Sequence, residues 1–266
     1  MPLAICATPI GNLDDVTLRV LAELREADVV LAEDTRHTRG LLDRHGIKAR
    51  LLSYHEHNEA SRVAELLPRL EAGERIALVT DAGMPGVSDP GARLVRAALD
   101  AGLDVTVLPG ASAVETALVA SGLVGGRYAF VGFLPRKVGE LEALWRETAG
   151  WAWPVVAFES PHRLHASLLS LAAFEPGREL AVCRELTKRF EEVVRGSAVD
   201  VAGRFAEPPK GEVTLVLGPG SAMSDPAEAR AAVADLVAAG TPRRVAADVV
   251  ARLTDLSRNE LYRGSL

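Results

Sequence analysis

The stretch from Ile76 to Ala113, IALVTDAGMPGVSDPGARLVRAALDAGLDVTVLPGASA, decides the fold. Ile76 to Val79 is a short apolar run without polar alternation, the pattern of a strand covered by helices on both faces. It gives way at Thr80-Asp81 to a loop that holds Gly83, Pro85, Gly86 and Gly91. Asp89-Pro90 reads as a helix start, with the Asp capping free amides and the Pro pre-set for the first turn, and Gly102 closes that helix. A second strand, Val105 to Leu108, runs into Pro109-Gly110-Ala111-Ser112-Ala113, where small residues admit a ligand close to the backbone. Two glycine loops after two strands read as adjacent place a binding site at the carboxyl edge of an open α/β sheet. Asp81 there can accept hydrogen bonds from an amine or a ribose, and the glycine amides can hold a carboxylate.

Toward the N-terminus, Leu3 to Ala7 reads as a strand followed by the loop Thr8-Pro9-Ile10-Gly11-Asn12. Asp14 or Asp15 is the expected cap of a helix on which Val16, Val20, Leu21 and Leu24 recur at helical spacing. Asp28 to Ala32 is the next strand, so the unit is βαβ and the sheet parallel. The single glycine of the first loop cannot make a G-x-G-x-x-G dinucleotide fingerprint, and no P-loop occurs. Glu33-Asp34-Thr35-Arg36 ends the second strand. It suits a helix N-cap with flanking charges, or a polar site in which Asp34 orients or deprotonates a hydroxyl and Arg36 holds a phosphate. Tyr54-His55-Glu56-His57-Asn58 has two histidines two residues apart and no third ligand at helical spacing, which favours a solvated loop over a metal site. Asn58 starts a helix that Pro68 is expected to bend or end early.

Beyond Ser121, Gly122, Gly125 and Gly126 form a candidate hinge. The second half alternates again. Strand Tyr128 to Phe133 is followed by the basic pair Arg136-Lys137 and a helix to about Thr148, and strand Val155 to Phe158 by a helix capped at Ser160-Pro161 that carries His162 and Arg163. Strand Leu180 to Cys183 leads into Arg184-Glu185-Leu186-Thr187-Lys188-Arg189, whose interleaved charges suit an exposed helix face with ion pairs or a narrow basic strip for the phosphates of a structured RNA. Val213 to Leu217 is the last strand. An Ala-rich helical tail begins at Asp225, with a second helix after Thr241-Pro242 and a third from Ser257. The expected domains are an α/β domain over 1–120, a second α/β domain over 121–220 and a helical extension over 221–266.

The 266 residues suffice for two modest cores, and 48% hydrophobic with 25% charged residues is an ordinary globular composition. A net charge of -6 argues against indiscriminate binding to polyanions, which needs excess Lys and Arg. Both cysteines, Cys6 and Cys183, sit in apolar strand-like runs, as expected for buried thiols in a reducing compartment. No Cys/His spacing suits a structural zinc, and no metal is expected. With no basic leader and no uncharged span, the expected location is the cytoplasm, away from membranes.

ATPIGNLDDVTLR, AEDTRHT, VTDAGMPGVSDPG, PGASA, GFLPRK, ESPHR, RELTKRFEE and GEVTLV follow one another in this order. Together they resemble the 16S ribosomal RNA methyltransferase branch of the tetrapyrrole (precorrin) methylase superfamily, over about residues 3 to 218. The resemblance implies two α/β domains with S-adenosylmethionine in the cleft between them. It also implies a homodimer and methylation of a cytidine ribose 2′-hydroxyl in the decoding region of 16S ribosomal RNA, with the small ribosomal subunit as substrate. The implied cofactor residues are Pro9, Asp81, Gly83, Met84, Pro85, Ser112, Ala113, Phe158, Leu186 and Thr214. The second loop reads Thr80-Asp81-Ala82-Gly83 where the tetrapyrrole branch carries Gly-Asp-Pro, and the Asp is retained. Methyl transfer from a sulfonium is an in-line displacement needing chiefly positioning, and a ribose hydroxyl benefits from a nearby base. Asp34 and Glu185 are the candidates for that base. Arg36, Arg136, Lys137, Lys188 and Arg189 are the candidates for RNA phosphates. The alternative reading is a methyltransferase acting on a tetrapyrrole itself.

Overall fold

The computed structural model describes residues 3–220, 226–254 and 256–264. The chain divides into two compact units. One comprises residues up to Ala120 with Cys183–Glu192, the other Ser121–Val182 with the residues from Val193 onward.

In the first unit β1 (Leu3–Cys6), β2 (Val29–Ala32), β3 (Leu51–Ser53), β4 (Ile76–Leu78) and β5 (Val105–Leu108) form one sheet in the order β3-β2-β4-β1-β5. Every neighbouring pair is parallel. The helices between the strands are α1 (Leu18–Glu26), α2 (Thr35–Arg44), α3 (Glu59–Glu71) and α4 (Ala92–Asp100), and α5 (Ala113–Ser121) follows β5. The strands alternate large and small residues, and the alternation sorts the helices. Leu3, Ile5, Val29, Leu31, Ile76 and Leu78 pack with Leu66 and Leu70 of α3 and Leu94 and Ala98 of α4. Ala4, Cys6, Val30, Ala32, Ala77 and Val79 pack with Val20, Leu21 and Leu24 of α1 and Leu42 of α2. Burying each of these leucines is worth about 1.5–3 kcal/mol. Right-handed crossovers require this arrangement: β1→β2→β3 runs one way along the sheet and β3→β4→β5 the other, so the two helix pairs fall on opposite faces. The connections leaving the neighbouring strands β2 and β4 run in opposite directions, which is where an open α/β sheet opens a binding crevice.

The expectation that β4 and β5 are adjacent fails, because β1 lies between them and pairs with both. Short apolar runs carry no record of their neighbours. Asp14 and Asp15 do not cap α1. They sit in a 3₁₀ turn capped by Asn12, and Thr17 caps α1 by accepting from the Val20 amide at 3.2 Å. Asp89-Pro90 does not start α4, whose cap is Gly91 at φ 141°. The Gly91 amide donates to Glu59 of α3 at 2.8 Å, so a distant carboxylate replaces the local cap. Pro68 does not end α3, which continues to Glu71.

The second unit has β6 (Ala129–Phe133), β7 (Val155–Glu159), β8 (Glu179–Arg184), β9 (Glu192–Ser197) and β10 (Val213–Leu217) in the order β6-β7-β10-β8-β9. β6 and β7 are parallel, and β7 and β10 antiparallel. Helices α6 (Val138–Ala149), α7 (Pro161–Phe174) and α8 (Ala198–Arg204) share one apolar core with the sheet, centred on Trp145, Leu164, Leu168, Val182 and Leu215. Arg178 is buried. Its guanidinium donates to the Gly218 carbonyl at 3.0 and 3.1 Å and to the Thr148 carbonyl at 3.2 Å, and burial lowers its pKa. The tail helices α9 (Pro226–Ala238), α10 (Arg243–Leu253) and α11 (Arg258–Gly264) bury Val233, Ala246, Val250 and Leu261 among themselves. Asp225 and the expected 220/221 boundary adjoin or fall in residues 221–225, outside the described residues.

Residues 184–189 are not a helix. They close β8 and open a loop before β9, with Glu185 at φ 51° and Thr187 at φ 64°. The expected ion pairs are present, Arg184 to Glu192 at 2.6 Å and Lys188 to Glu185 at 3.0 Å, across a loop rather than along a helix. β3, β9 and α8 were not foreseen.

Candidate functional site

Because the first sheet is parallel throughout, the loops after β2, β4, β1 and β5 all leave from one edge. They are tied together. The Thr8 amide donates to the Gly83 carbonyl at 2.8 Å and the Gly83 amide to the Thr8 carbonyl at 3.1 Å, an antiparallel bridge between the loops after β1 and β4. The Thr8 hydroxyl, buried, donates to the Thr80 carbonyl at 3.0 Å. Gly83 has φ 80°, and a Cβ built there would lie 3.8 Å from Ile10 Cγ2 and 4.0 Å from the Ala111 carbonyl oxygen, so three loops converge on it. Gly110 approaches β1 so closely that a Cβ would sit 2.9 Å from that of Ala7.

The β2 loop joins through Glu33 and Asp34. Thr80 donates to Glu33 at 2.8 Å, and the Asp34 amide donates to Asp81 at 3.0 Å. Asp81 therefore spends one oxygen ordering the neighbouring loop. Asp34 caps α2 by accepting from the Arg36 amide at 2.8 Å and binds the Arg36 guanidinium at 3.0 Å. The Arg36 hydrogen bonds pull its carboxyl down to about 2. Of the two readings of this stretch, the structure shows the cap, and a carboxylate of such low basicity is a poor proton acceptor.

A fifth segment comes from far along the chain. A Cβ at Gly11 would lie 2.6 Å from Lys188 Cγ, 2.7 Å from Thr187 Oγ1 and 2.8 Å from the Leu186 carbonyl oxygen, and the Asn12 amide donates to Thr187 Oγ1 at 3.0 Å. Leu186 is thereby held against the loop that carries Pro9. Ser112 donates to Glu115 at the start of α5. Pro9, Gly83 and Pro85 are buried, while Asp81, Met84, Ser112 and Ala113 are partly open, so one apolar, glycine-lined edge gathers eight of the ten expected cofactor residues, Leu186 included. Nothing in the spacing of Gly11 or Thr187 announces their contact.

The remaining two, Phe158 and Thr214, belong to the second unit, where they face each other across β7 and β10. The Phe158 ring meets Phe130 and Phe133 edge-on at 4.9 and 5.5 Å. Arg136 and Lys137 are exposed just after β6, with Lys137 paired to Glu140 at 2.8 Å. Their loop is set by Arg163, which donates to the Leu134 and Pro135 carbonyls at 2.8 Å each and binds Glu159 at 3.1 Å. Glu159 is buried and also accepts from Ser167 at 2.5 Å and from the Ser160 amide at 2.6 Å. The ESPHR stretch thus holds the GFLPRK loop, a partnership invisible in either motif alone. Ser160 precedes α7 without capping it through its side chain. His162 is exposed on the first turn of α7. Among the described residues no group of three or more His, Cys, Asp or Glu is arranged to hold a metal.

The first unit is parallel and doubly wound with its loops gathered at one edge, a second mixed sheet follows, and residues 2–202 match the family model for tetrapyrrole (corrin/porphyrin) methylases. The chain belongs to that family. It is 45% identical over 269 residues to the ribosomal RNA small subunit methyltransferase I of Mesorhizobium japonicum, covering 98% of this chain and 90% of the relative. The protein of the same name from Synechocystis is 42% identical over 270 residues, covering 99% and 97%. Among solved structures, the methyltransferase CobJ aligns with a TM-score of 0.64 at 21% identity, over 82% of this chain and 94% of that one. Diphthine synthase aligns with a TM-score of 0.60 at 17% identity, over 81% and 89%. At these identities the structural matches speak to the fold.

Proposed function

We propose that this protein transfers a methyl group from S-adenosylmethionine to the 2′-hydroxyl of a cytidine in the decoding region of 16S ribosomal RNA, acting in the cytoplasm on the small ribosomal subunit. The observation that carries the reading is identity of 45% across 98% of the chain to a relative named as a ribosomal RNA small subunit methyltransferase. The converging loops at Gly83 fit the cofactor: a glycine cradle for a zwitterionic amino acid, flanked by apolar Pro9, Met84, Pro85 and Leu186 for the rest of the molecule. Asp81, Gly83, Ser112 and Ala113 would complete the first-unit contacts.

Bound S-adenosylmethionine supplies an electrophilic methyl on a sulfonium. The residues of the chain have to hold the ribose hydroxyl in line with it and receive the hydroxyl proton. Asp34 and Glu185 are the candidates to receive that proton, and each is paired with a cation, Asp34 with Arg36 and Glu185 with Lys188. Lys188 at 3.0 Å balances the Glu185 charge. Arg36, Arg136, Lys137, Lys188 and Arg189 would hold RNA phosphates. A homodimer is part of the same proposal.

The test is transfer of labelled methyl to purified small subunits lacking the modification, with naked 16S RNA and a tetrapyrrole in parallel. Label recovered as 2′-O-methylcytidine from the subunit is the expected result. Label only in the tetrapyrrole would overturn the substrate while keeping the reaction, and a monomer by analytical ultracentrifugation would overturn the dimer.

A further inference from the structure

We propose that Phe190 is a stacking platform for an unpaired nucleobase of the RNA substrate, with Arg189 beside it taking a neighbouring phosphate. The inference rests on the ribosomal RNA reading above and adds to it a residue that positions the substrate.

Phe190 is 64% exposed at the tip of the loop between β8 and β9, and the Arg189 guanidinium lies 5.5 Å from its ring centroid. A scattered exposed aromatic is ordinary, so the comparison is with Phe133, 59% exposed, whose ring is packed edge-on against Phe158. Among the described residues the one ring contact of Phe190 is Arg189. The neighbouring carboxylates are engaged elsewhere: Glu185 on Lys188, Glu191 on the Thr187 amide at 2.6 Å, and Glu192 on Arg184. That leaves the exposed Arg189 as the charge beside the ring.

The loop is built to hold that tip still. Glu185 and Thr187 occupy left-handed backbone conformations that cost non-glycine residues, and the surroundings sustain them. The Lys188 amide donates to the Glu185 carbonyl at 2.9 Å, the Glu191 amide to the Lys188 carbonyl at 3.2 Å, and Thr187 is bound from the other side by Asn12. The same six residues that end in Arg189-Phe190 begin with Glu185 and Leu186, so a base on Phe190 lies next to the strand-end loops. An aromatic face with an adjacent guanidinium suits a nucleotide, which offers a π-face and an anion together. Bases splayed from RNA loops are recognised in this way.

The experiment compares Phe190→Ala, Phe190→Leu and Phe190→Trp in the full chain. The readouts are filter binding of small subunits, KM and kcat for methyl transfer, calorimetric affinity for S-adenosylmethionine, thermal stability and sedimentation. Stacking predicts that Ala and Leu raise the Kd and KM for subunits by about 5- to 100-fold, the range of alanine substitutions under a stacked base. Trp stays near wild type, and cofactor affinity and melting temperature do not move. An unchanged Ala variant, or a Leu variant that matches wild type, would overturn the proposal. So would an Ala variant that changes the sedimenting mass, because the ring would then serve a protein contact. Wild-type protein that neither binds nor methylates subunits overturns the ribosomal RNA reading and this proposal with it, and that failure shows before any variant is compared.

Discussion

Replacing Gly11 by alanine tests whether the 186–188 segment really sets the first strand-end loop. The backbone at Gly11 is one that alanine can adopt, so the effect is steric. The new methyl meets Lys188 Cγ at 2.6 Å, Thr187 Oγ1 at 2.7 Å and the Leu186 carbonyl oxygen at 2.8 Å. The lysine stem can swing away, but the carbonyl belongs to a loop already fixed by its left-handed residues. Overpacking of this kind costs about 1–3 kcal/mol, and parting the loops forfeits the Asn12–Thr187 hydrogen bond for a further ~0.5–1.5 kcal/mol. The stiffer unfolded chain returns about 0.4–1 kcal/mol. The net is roughly 2 kcal/mol, or a melting temperature lower by about 4–8 °C for a chain of this size. Gly40→Ala is the matched control. Gly40 lies inside α2 with nothing within 4 Å of its would-be Cβ, so alanine there stabilises the helix by about 0.5–1 kcal/mol. Scanning calorimetry of both variants, with titration of S-adenosylmethionine, measures the contrast. A Gly11→Ala protein that melts at or above wild type and binds cofactor normally would refute the argument.

The Asp34 carboxyl, pulled down to about 2 by Arg36, contributes stability that is fully present above its unfolded pKa near 3.9 and is lost as pH falls from there through about 2. Carbon-detected NMR titration should show that depressed midpoint, and Asp34→Asn, which keeps a capping oxygen, should remove its share of the acid limb without melting α2, leaving the shares of Asp14 and Glu74; an ordinary carboxylate midpoint would count against the pairing. Burial pushes the Cys6 thiol up to about 12, so a thiol reagent at pH 8 should leave Cys6 unmodified until denaturant is added; rapid labelling of the folded protein would contradict its packing.

How far the sequence could be read depended on the reach of each interaction. The strand-end loops were legible because Gly83, Gly110 and the apolar runs before them answer to local rules, backbone freedom and uniform burial. The order of the strands was not, since β1 inserts between β4 and β5 through pairings about seventy and a hundred residues apart in sequence. Arg184 to Arg189 suggested a helix because opposite charges three and four apart serve a helix and a tight loop equally well. The left-handed Glu185 and Thr187 that decide the matter are residue types that give no warning. Asp89-Pro90 carried a sound capping signal that lost to Glu59, a carboxylate brought in by another helix. In the site, the residues expected from the family resemblance were named one by one, while the hydrogen bonds that join Glu33 to Thr80, Asp34 to Asp81 and Arg163 to the Leu134 carbonyl exist only once the chain is folded.

The interrupted first unit also has a timetable. Its sheet and helices are complete once Ala120 has been made, but Cys183–Glu192, which belong to it, come later. At about 5–20 residues per second the ribosome needs roughly 4–14 s to extend the chain from Ser121 to Glu192. During that interval the nascent sheet waits with its Gly11 loop unclasped, so the order of synthesis leaves the binding edge until last.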